Sequence, residues 1–217
     1  GTTNSPNWMQ GGWKTVYAGG AYDGFLVKLN NAGAVQWSTY LGGTSEDRGN
    51  RVAVDASGYC YVIGTTESAG WVSGGWDTTH GGGGYPDGYV VKFNASGQHL
   101  WSTYVGGDGF DLGQCIAVDG MGNCYAAGQT NSGGWVSGGW NTVPNGTVDG
   151  FVVKLNPQGL HEWSTYLGGI TEDRVNDIAA DENGNTYITG QTDSAEWMIG
   201  GFDTTPNGWH DGFVVKL

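Results

Sequence analysis

Short runs in which apolar and polar residues alternate, each broken by Gly, Asn or Asp, fill the chain and predict β-strands throughout. The clearest are Gln36-Trp-Ser-Thr-Tyr-Leu41, Leu100-Trp-Ser-Thr-Tyr-Val105 and Glu162-Trp-Ser-Thr-Tyr-Leu167, rich in aromatic and β-branched residues and each stopped by Gly-Gly. A second strand type is written four times: Asp23 to Leu29 (DGFLVKL), Asp87 to Phe93 (DGYVVKF), and Asp149 to Leu155 and Asp211 to Leu217 (both DGFVVKL). The copies are 64, 62 and 62 residues apart, in the range of propeller or solenoid units and far longer than a heptad.

The punctuation between strands fixes how they connect. Asn30-Asn-Ala-Gly33, Asn94-Ala-Ser-Gly97 and Asn156-Pro-Gln-Gly159 carry Asn first and Gly fourth, the chemistry of a type I turn that closes into a Gly bulge between antiparallel strands. Arg51-Val-Ala-Val-Asp55, Cys115-Ile-Ala-Val-Asp119 and Asp177-Ile-Ala-Ala-Asp181 lead through similar turns into Cys60-Tyr-Val-Ile-Gly64, Cys124-Tyr-Ala-Ala-Gly128 and Thr186-Tyr-Ile-Thr-Gly190. The small Ala53, Ala117 and Ala179 suit a strand in a crowded place near an axis. Four short antiparallel strands in each unit make one propeller blade. The fold expected is therefore all-β, with propeller-like repeats of four-stranded antiparallel blades, about three blades plus one extra strand.

By residue, this gives a lead-in and first Trp loop at 1–22, with 1–7 disordered or adaptable, and three repeats at about 23–86, 87–148 and 149–210. Residues 211–217 are then an extra C-terminal strand, whose Asp211, Phe213, Val215 and Leu217 are candidates for exchange with a neighbouring chain. An unprotected strand edge recruits another strand, and head-to-tail contacts give a closed ring or a filament. A homo-oligomer is expected.

The segments WSTYLGG, the acidic link after it, IAVD, the paired-Trp loop and DGFVVKL resemble the bacterial beta-propeller repeat known as SBBP, over almost the whole chain. The resemblance implies propeller-like blades in secreted or cell-surface proteins, with IAVD innermost and WSTYLGG outermost, and brings no catalytic residues. The start without Met and without a charged-then-apolar leader reads as a processed secreted protein or an excised fragment.

Composition narrows the function. The 43 Gly, 11 Trp and 11 Tyr against 13% charged residues fit Gly-dependent turns and aromatic packing. A net charge of −13 would repel nucleic-acid phosphates. No run approaches the roughly 18 apolar residues of a membrane helix, so membrane insertion is not expected. Four of the eight basic residues are Lys28, Lys92, Lys154 and Lys216 of the repeated strand, each read as meeting a nearby Asp. Cys60, Cys115 and Cys124 fit neither a zinc nor a redox motif and leave at least one thiol unpaired. Asn94 and Asn145 sit in glycosylation sequons.

Catalysis is not expected, because the four His fall in turns and loops without a matching nucleophile pattern and near-identical units favour repeated binding or scaffolding. A site would lie on the face that gathers the long loops and acidic links: Trp8, Trp13, Trp71, Trp76, Trp135, Trp140, Trp197 and Phe202, with Asp47, Asp111 and Asp173. Trp beside Asp and flexible Gly suits stacking on sugar rings, so glycans are the alternative partner. Repeated aromatics more often plug their own loop onto the blade. Ca²⁺ is the ion that Asp47, Asp111 and Asp173 would take, though no unit has a DxDxDG loop and a carboxylate that caps backbone N–H groups does the same structural job. No other cofactor is implied.

Overall fold

A computed structural model of the chain describes residues 1–217. In chain order the strands are β1 Thr2–Thr3, β2 Asp23–Leu29, β3 Val35–Leu41, β4 Asp47–Val54, β5 Cys60–Thr66, β6 Asp87–Phe93 and β7 His99–Val105. They continue with β8 Asp111–Val118, β9 Cys124–Thr130, β10 Asp149–Leu155, β11 His161–Leu167, β12 Asp173–Ala180, β13 Thr186–Thr192 and β14 Asp211–Lys216. They form four antiparallel sheets, ordered β1-β2-β3, β4-β5-β6-β7, β8-β9-β10-β11 and β12-β13-β14. The innermost-to-outermost order is the expected one, and the protein is all-β.

Two features differ from the sequence reading. Residues 1–3 are not disordered: Thr2 and Thr3 pair with Gly24 and Asp23, and Phe25 N–H donates to the Gly1 carbonyl at 2.8 Å. The exposed backbone of β2 recruits the nearest extended segment. Residues 211–217 are not a surplus strand within this chain. They form the third strand of the last sheet, with Phe213 opposite Gly190 and Val215 opposite Ile188.

The turns behave as read. Gly33, Gly97 and Gly159 have φ of 77°, 82° and 79°, a region that suits glycine. Asn30 Oδ1 accepts from the N–H groups of Ala32 and Ala34 at 3.0 and 2.9 Å. The register slips between Lys28 and Leu29, the bulge that a Gly-closed turn requires.

A core lies at each blade-to-blade contact. Trp37 and Leu41 meet Val62, Trp71 and Tyr89. Tyr61, Ile63 and Trp101 meet Ile116, Cys124 and Phe151. Tyr125 and Leu167 meet Val175, Ile188 and Phe213. Hydrogen bonds on the tight-turn face latch each blade to the next: Lys28 Nζ and Trp37 Nε1 donate to the Ala95 carbonyl at 2.7 and 3.2 Å, and Lys92 Nζ and Trp101 Nε1 to that of Pro157 at 2.9 and 3.1 Å. The reading that each Lys of the repeated strand meets an Asp is therefore corrected. Lys28 and Lys92 reach a turn carbonyl of the next blade, Lys92 also lies 4.7 Å from the Tyr61 ring centroid, and Lys154 pairs with Glu162 at 2.9 Å. The long stem carries the ammonium past its own sheet.

Gly64, Gly128 and Gly190 face the aromatic residue of the neighbouring strand, Tyr89, Phe151 and Phe213. A Cβ on Gly128 would lie 1.8 Å from the Leu112 carbonyl oxygen and 3.1 Å from the Phe151 ring. Gly128→Ala is therefore expected to destabilise the protein by about 1–3 kcal/mol or more, read from urea unfolding. An unchanged midpoint would contradict this packing.

Candidate functional site

The face opposite the tight turns is built by the paired-Trp loops. Three of the four loops lie along the outermost strand of their blade, with bridges Gly11 to Ser38, Gly74 to Ser102 and Gly138 to Ser164. The Ser and Thr of WSTY are the anchors. Ser73 N–H donates to Ser102 Oγ and Asp77 N–H to Thr103 Oγ1, at 2.9 and 2.8 Å, while Ser102 and Tyr104 N–H donate back to the Ser73 and Asp77 carbonyls. The next blade repeats this with Ser137 and Asn141 on Ser164 and Thr165, both at 2.9 Å. The fit needs the second Gly of each loop, because a Cβ at Gly75 or Gly139 would lie 2.7 or 2.3 Å from the strand's Ser carbonyl oxygen.

The leading Trp of each loop turns inward. Trp71 is 7% exposed, packs edge-on to Tyr89 at 4.8 Å and donates to Thr66 Oγ1 at 3.0 Å. Trp197 does the same with Phe213 and Thr192, and Trp135 packs edge-on to Phe151 at 5.2 Å. Trp8 meets Phe25 at 5.2 Å but stays half exposed.

The second aromatic crosses to the next blade. Trp13 stacks on His99 at 4.0 Å between ring centroids, and Trp76 on His161 at 4.3 Å. Burial pushes the His99 imidazole down to about 4 and lowers that of His161. Both rings are therefore neutral at pH 7. Sequence reading placed these His in turns and missed the stack, whose one signal was that both precede Trp-Ser-Thr-Tyr at the same distance. Trp140 has no such partner and is 51% exposed; Phe202 is fully exposed.

The repeated carboxylates are internal. Asp47 Oδ2 accepts from Gly43 N–H and Ser68 Oγ, both at 2.8 Å, and its Oδ1 from Thr66. Asp173 is held in the same way by Gly169, Ser194 and Thr192. Asp111 Oδ2 accepts from Gly107 N–H and Ser132 Oγ at 2.9 and 2.7 Å. All three are fully buried and tie the link after one blade to the blade that follows. A second set, Asp23, Asp87 and Asp149, opens the repeated strand, and each keeps a buried Oδ1 without a hydrogen bond. Burial raises Asp23 and Asp111 to about 6 and raises Asp47, Asp87 and Asp149, with a carboxylate of the other set adding repulsion at Asp23, Asp111 and Asp149. Cys60, Cys115 and Cys124 are buried free thiols, and burial pushes Cys115 up to about 12.

The end sheets carry the exposed edges. β1 covers β2 only over Asp23 and Gly24. At the other end, the outer edge of β14 borders a groove of about 430 Å³ lined by Trp140, Trp197, Met198, Ile199, Val214 and Leu217, with Gly200, Gly201, Val215 and Lys216. Of the strand-exchange candidates, Phe213 is buried against Trp197, and Leu217 exchanges backbone hydrogen bonds with Thr186 at 2.9 and 3.0 Å. Asp211 Oδ2 accepts from Asn207 N–H at 2.8 Å, and Val215 is half-buried.

Comparison with known proteins agrees with this architecture. The chain is 27% identical over 215 residues to the regulatory protein FlaEY of Caulobacter vibrioides, an alignment that covers 90% of this chain and 22% of that protein. It is 25% identical over 130 residues to the uncharacterized WD repeat-containing protein L264 of Acanthamoeba polyphaga mimivirus, covering 48% of this chain and 9% of that one. The chain thus spans less than a quarter of either relative. With blades already evident in its sheets, the chain carries the SBBP beta-propeller repeat, whose family model matches it at residues 36–70 and 162–196.

Proposed function

We propose that the chain is a secreted or cell-surface, non-catalytic scaffold of beta-propeller blades that assembles head to tail by strand exchange between its end sheets. The observation that carries this reading is the complementarity of the two ends. The last sheet holds the inner strands β12 and β13 with β14, and the first holds the outer pair β2 and β3. A neighbour's β2–β3 hairpin set against β13 in place of β14 would rebuild a four-stranded blade, because β2 and β14 carry nearly the same sequence. Two of the four His rings, His99 and His161, are engaged in stacking against Trp13 and Trp76.

A multivalent glycan-binding face is the second reading. It would rest on the exposed Trp8, Trp140 and Phe202, since the Trp71 and Trp197 rings lie inside their blades.

Light scattering across protein concentration tests the first reading. The expected result is a mass that rises in multiples of 22.8 kDa. A mass of 22.8 kDa at every concentration overturns it.

A further inference from the structure

Each junction between consecutive sheets buries two carboxylates that repel each other: Asp23 with Asp47, Asp87 with Asp111, and Asp149 with Asp173. Buried charges are paired or coordinate a metal. The first junction supplies its own cation. Lys14, directly after the second Trp of its loop, donates from Nζ to the Gly42 carbonyl at 2.6 Å, and its charge acts on both Asp47 and Asp23. At the second junction a buried imidazole takes that part, with His80 Nδ1 3.8 Å from Asp87 Oδ2. The third junction has neither. Asn141 stands where the first blade has Lys14, its N–H on Thr165 as that of Lys14 is on Thr39, and Pro144 stands where the second blade has His80. No Lys, Arg or His pairs with Asp149 or Asp173.

The oxygens at this third junction converge. Asp149 is 2% exposed, and its Oδ2 accepts from the N–H groups of Asn145 and Gly146, while its Oδ1 has no hydrogen-bond partner. A Cβ on Gly168 would lie 2.8 Å from that Oδ1 and 2.5 Å from Asp173 Oδ2, so both oxygens face the space that a side chain there would fill. Leaving a buried carboxylate oxygen without a partner is costly. Two negative charges offered through oxygen suit a hard divalent cation.

We propose that Asp149 and Asp173 bind one Ca²⁺ in the space beside Gly168, clamping the start of β10 in the third sheet to the start of β12 in the last. Asp47 and Asp111 take no ion, because Lys14 and His80 already stand at their junctions. The site lies within one molecule and does not depend on assembly. With two carboxylates and otherwise neutral oxygen ligands, the dissociation constant falls at about 0.1–1 mM.

The test uses the full chain, stripped with EDTA and kept at an ionic strength of about 0.15 M so that diffuse attraction to the net charge of −13 is screened. Calorimetric titration with CaCl₂ measures affinity and stoichiometry. Terbium luminescence excited through Trp reports the place, since the Trp197 indole donates to Thr192, which donates to Asp173. One saturable site per chain is expected, with a melting temperature that rises with Ca²⁺. Asn141→Lys copies Lys14 into the third blade and should weaken Ca²⁺ binding at least about tenfold without lowering the melting temperature of the metal-free protein. Asp149→Asn should weaken binding as much, and Asp87→Asn should leave it unchanged. Absence of saturable binding up to about 10 mM Ca²⁺ overturns the site. So does binding that survives Asn141→Lys, or that is lost with Asp87→Asn.

Discussion

Trp71→Ala is expected to lower the unfolding free energy by about 3–5 kcal/mol, while Trp140→Ala should change it by about 0.5 kcal/mol or less. The two residues occupy opposite ends of near-identical loops, so sequence position alone predicts no such contrast. Trp71 fills the space between its loop and Tyr89, donates its indole N–H to Thr66 and sits in the core shared by the first two blades. Its removal leaves a cavity under a Gly-rich loop, forfeits an edge-to-face contact worth about 0.5–1.5 kcal/mol and leaves Thr66 Oγ1 without that donor. Trp140 is half exposed and borders the groove. Equilibrium unfolding in urea of both variants measures the difference. Equal small losses would mean that the leading Trp is free to serve a ligand, which would favour the glycan reading over the scaffold.

The same contrast shows how far the sequence could be read. Strand identity, turn chemistry and blade order follow from local signals: the Gly that closes each turn, the alternation in Trp-Ser-Thr-Tyr and the small residues of the inner strand. Those signals are local because backbone sterics and pleat alternation act over a few residues. The second aromatic of a loop depends on a neighbour more than 80 residues away, as Trp13 on His99 and Trp76 on His161, and this role was not legible. The leading Trp plugs its own blade, as repeated aromatics commonly do, whereas the reach of the second to the next blade depends on how blades stack, a relation that periodicity does not encode. The Lys of the repeated strand was misread for the same reason, since the carbonyls it reaches belong to the following repeat, as with Lys28 and Ala95. The lead-in was misread because its sequence has no strand signature, and Gly1–Thr3 take an extended form only because the edge of β2 lies beside them.

Acidification from pH 7.5 to about 5 is expected to stabilise the protein, against the common pattern in which carboxylates favour folding at neutral pH. Asp23 and Asp111 sit at about 6 in the folded chain and near the ordinary carboxylate value when unfolded. Between those values the folded state binds more protons than the unfolded one, so stability falls as pH rises through the window and returns as pH drops. Asp47, Asp87 and Asp149 are shifted in the same direction by burial. Lowering the net charge of −13 also reduces repulsion. Two groups oppose this. His99 is held down to about 4 and His161 is lowered, so between the ordinary histidine value and about 4 the unfolded chain binds the extra proton and acid destabilises. Below about pH 4, Asp119 and Asp181 add to the loss, since hydrogen bonds from Asn123 and Asn185 hold their carboxyls below the usual range. Five raised carboxylates against two lowered imidazoles leave a net gain on acidification, with a maximum between about pH 4 and 5. Urea unfolding at pH 7.5, 6, 5 and 4 reads the slope directly. His99→Gln should steepen the gain, because it removes an opposing group. Asp23→Asn with Asp111→Asn should flatten it. A wild-type stability that falls steadily from pH 7.5 to 5 would mean that the buried carboxylates stay ionised at the cores between blades, and that each is neutralised there by something other than a proton.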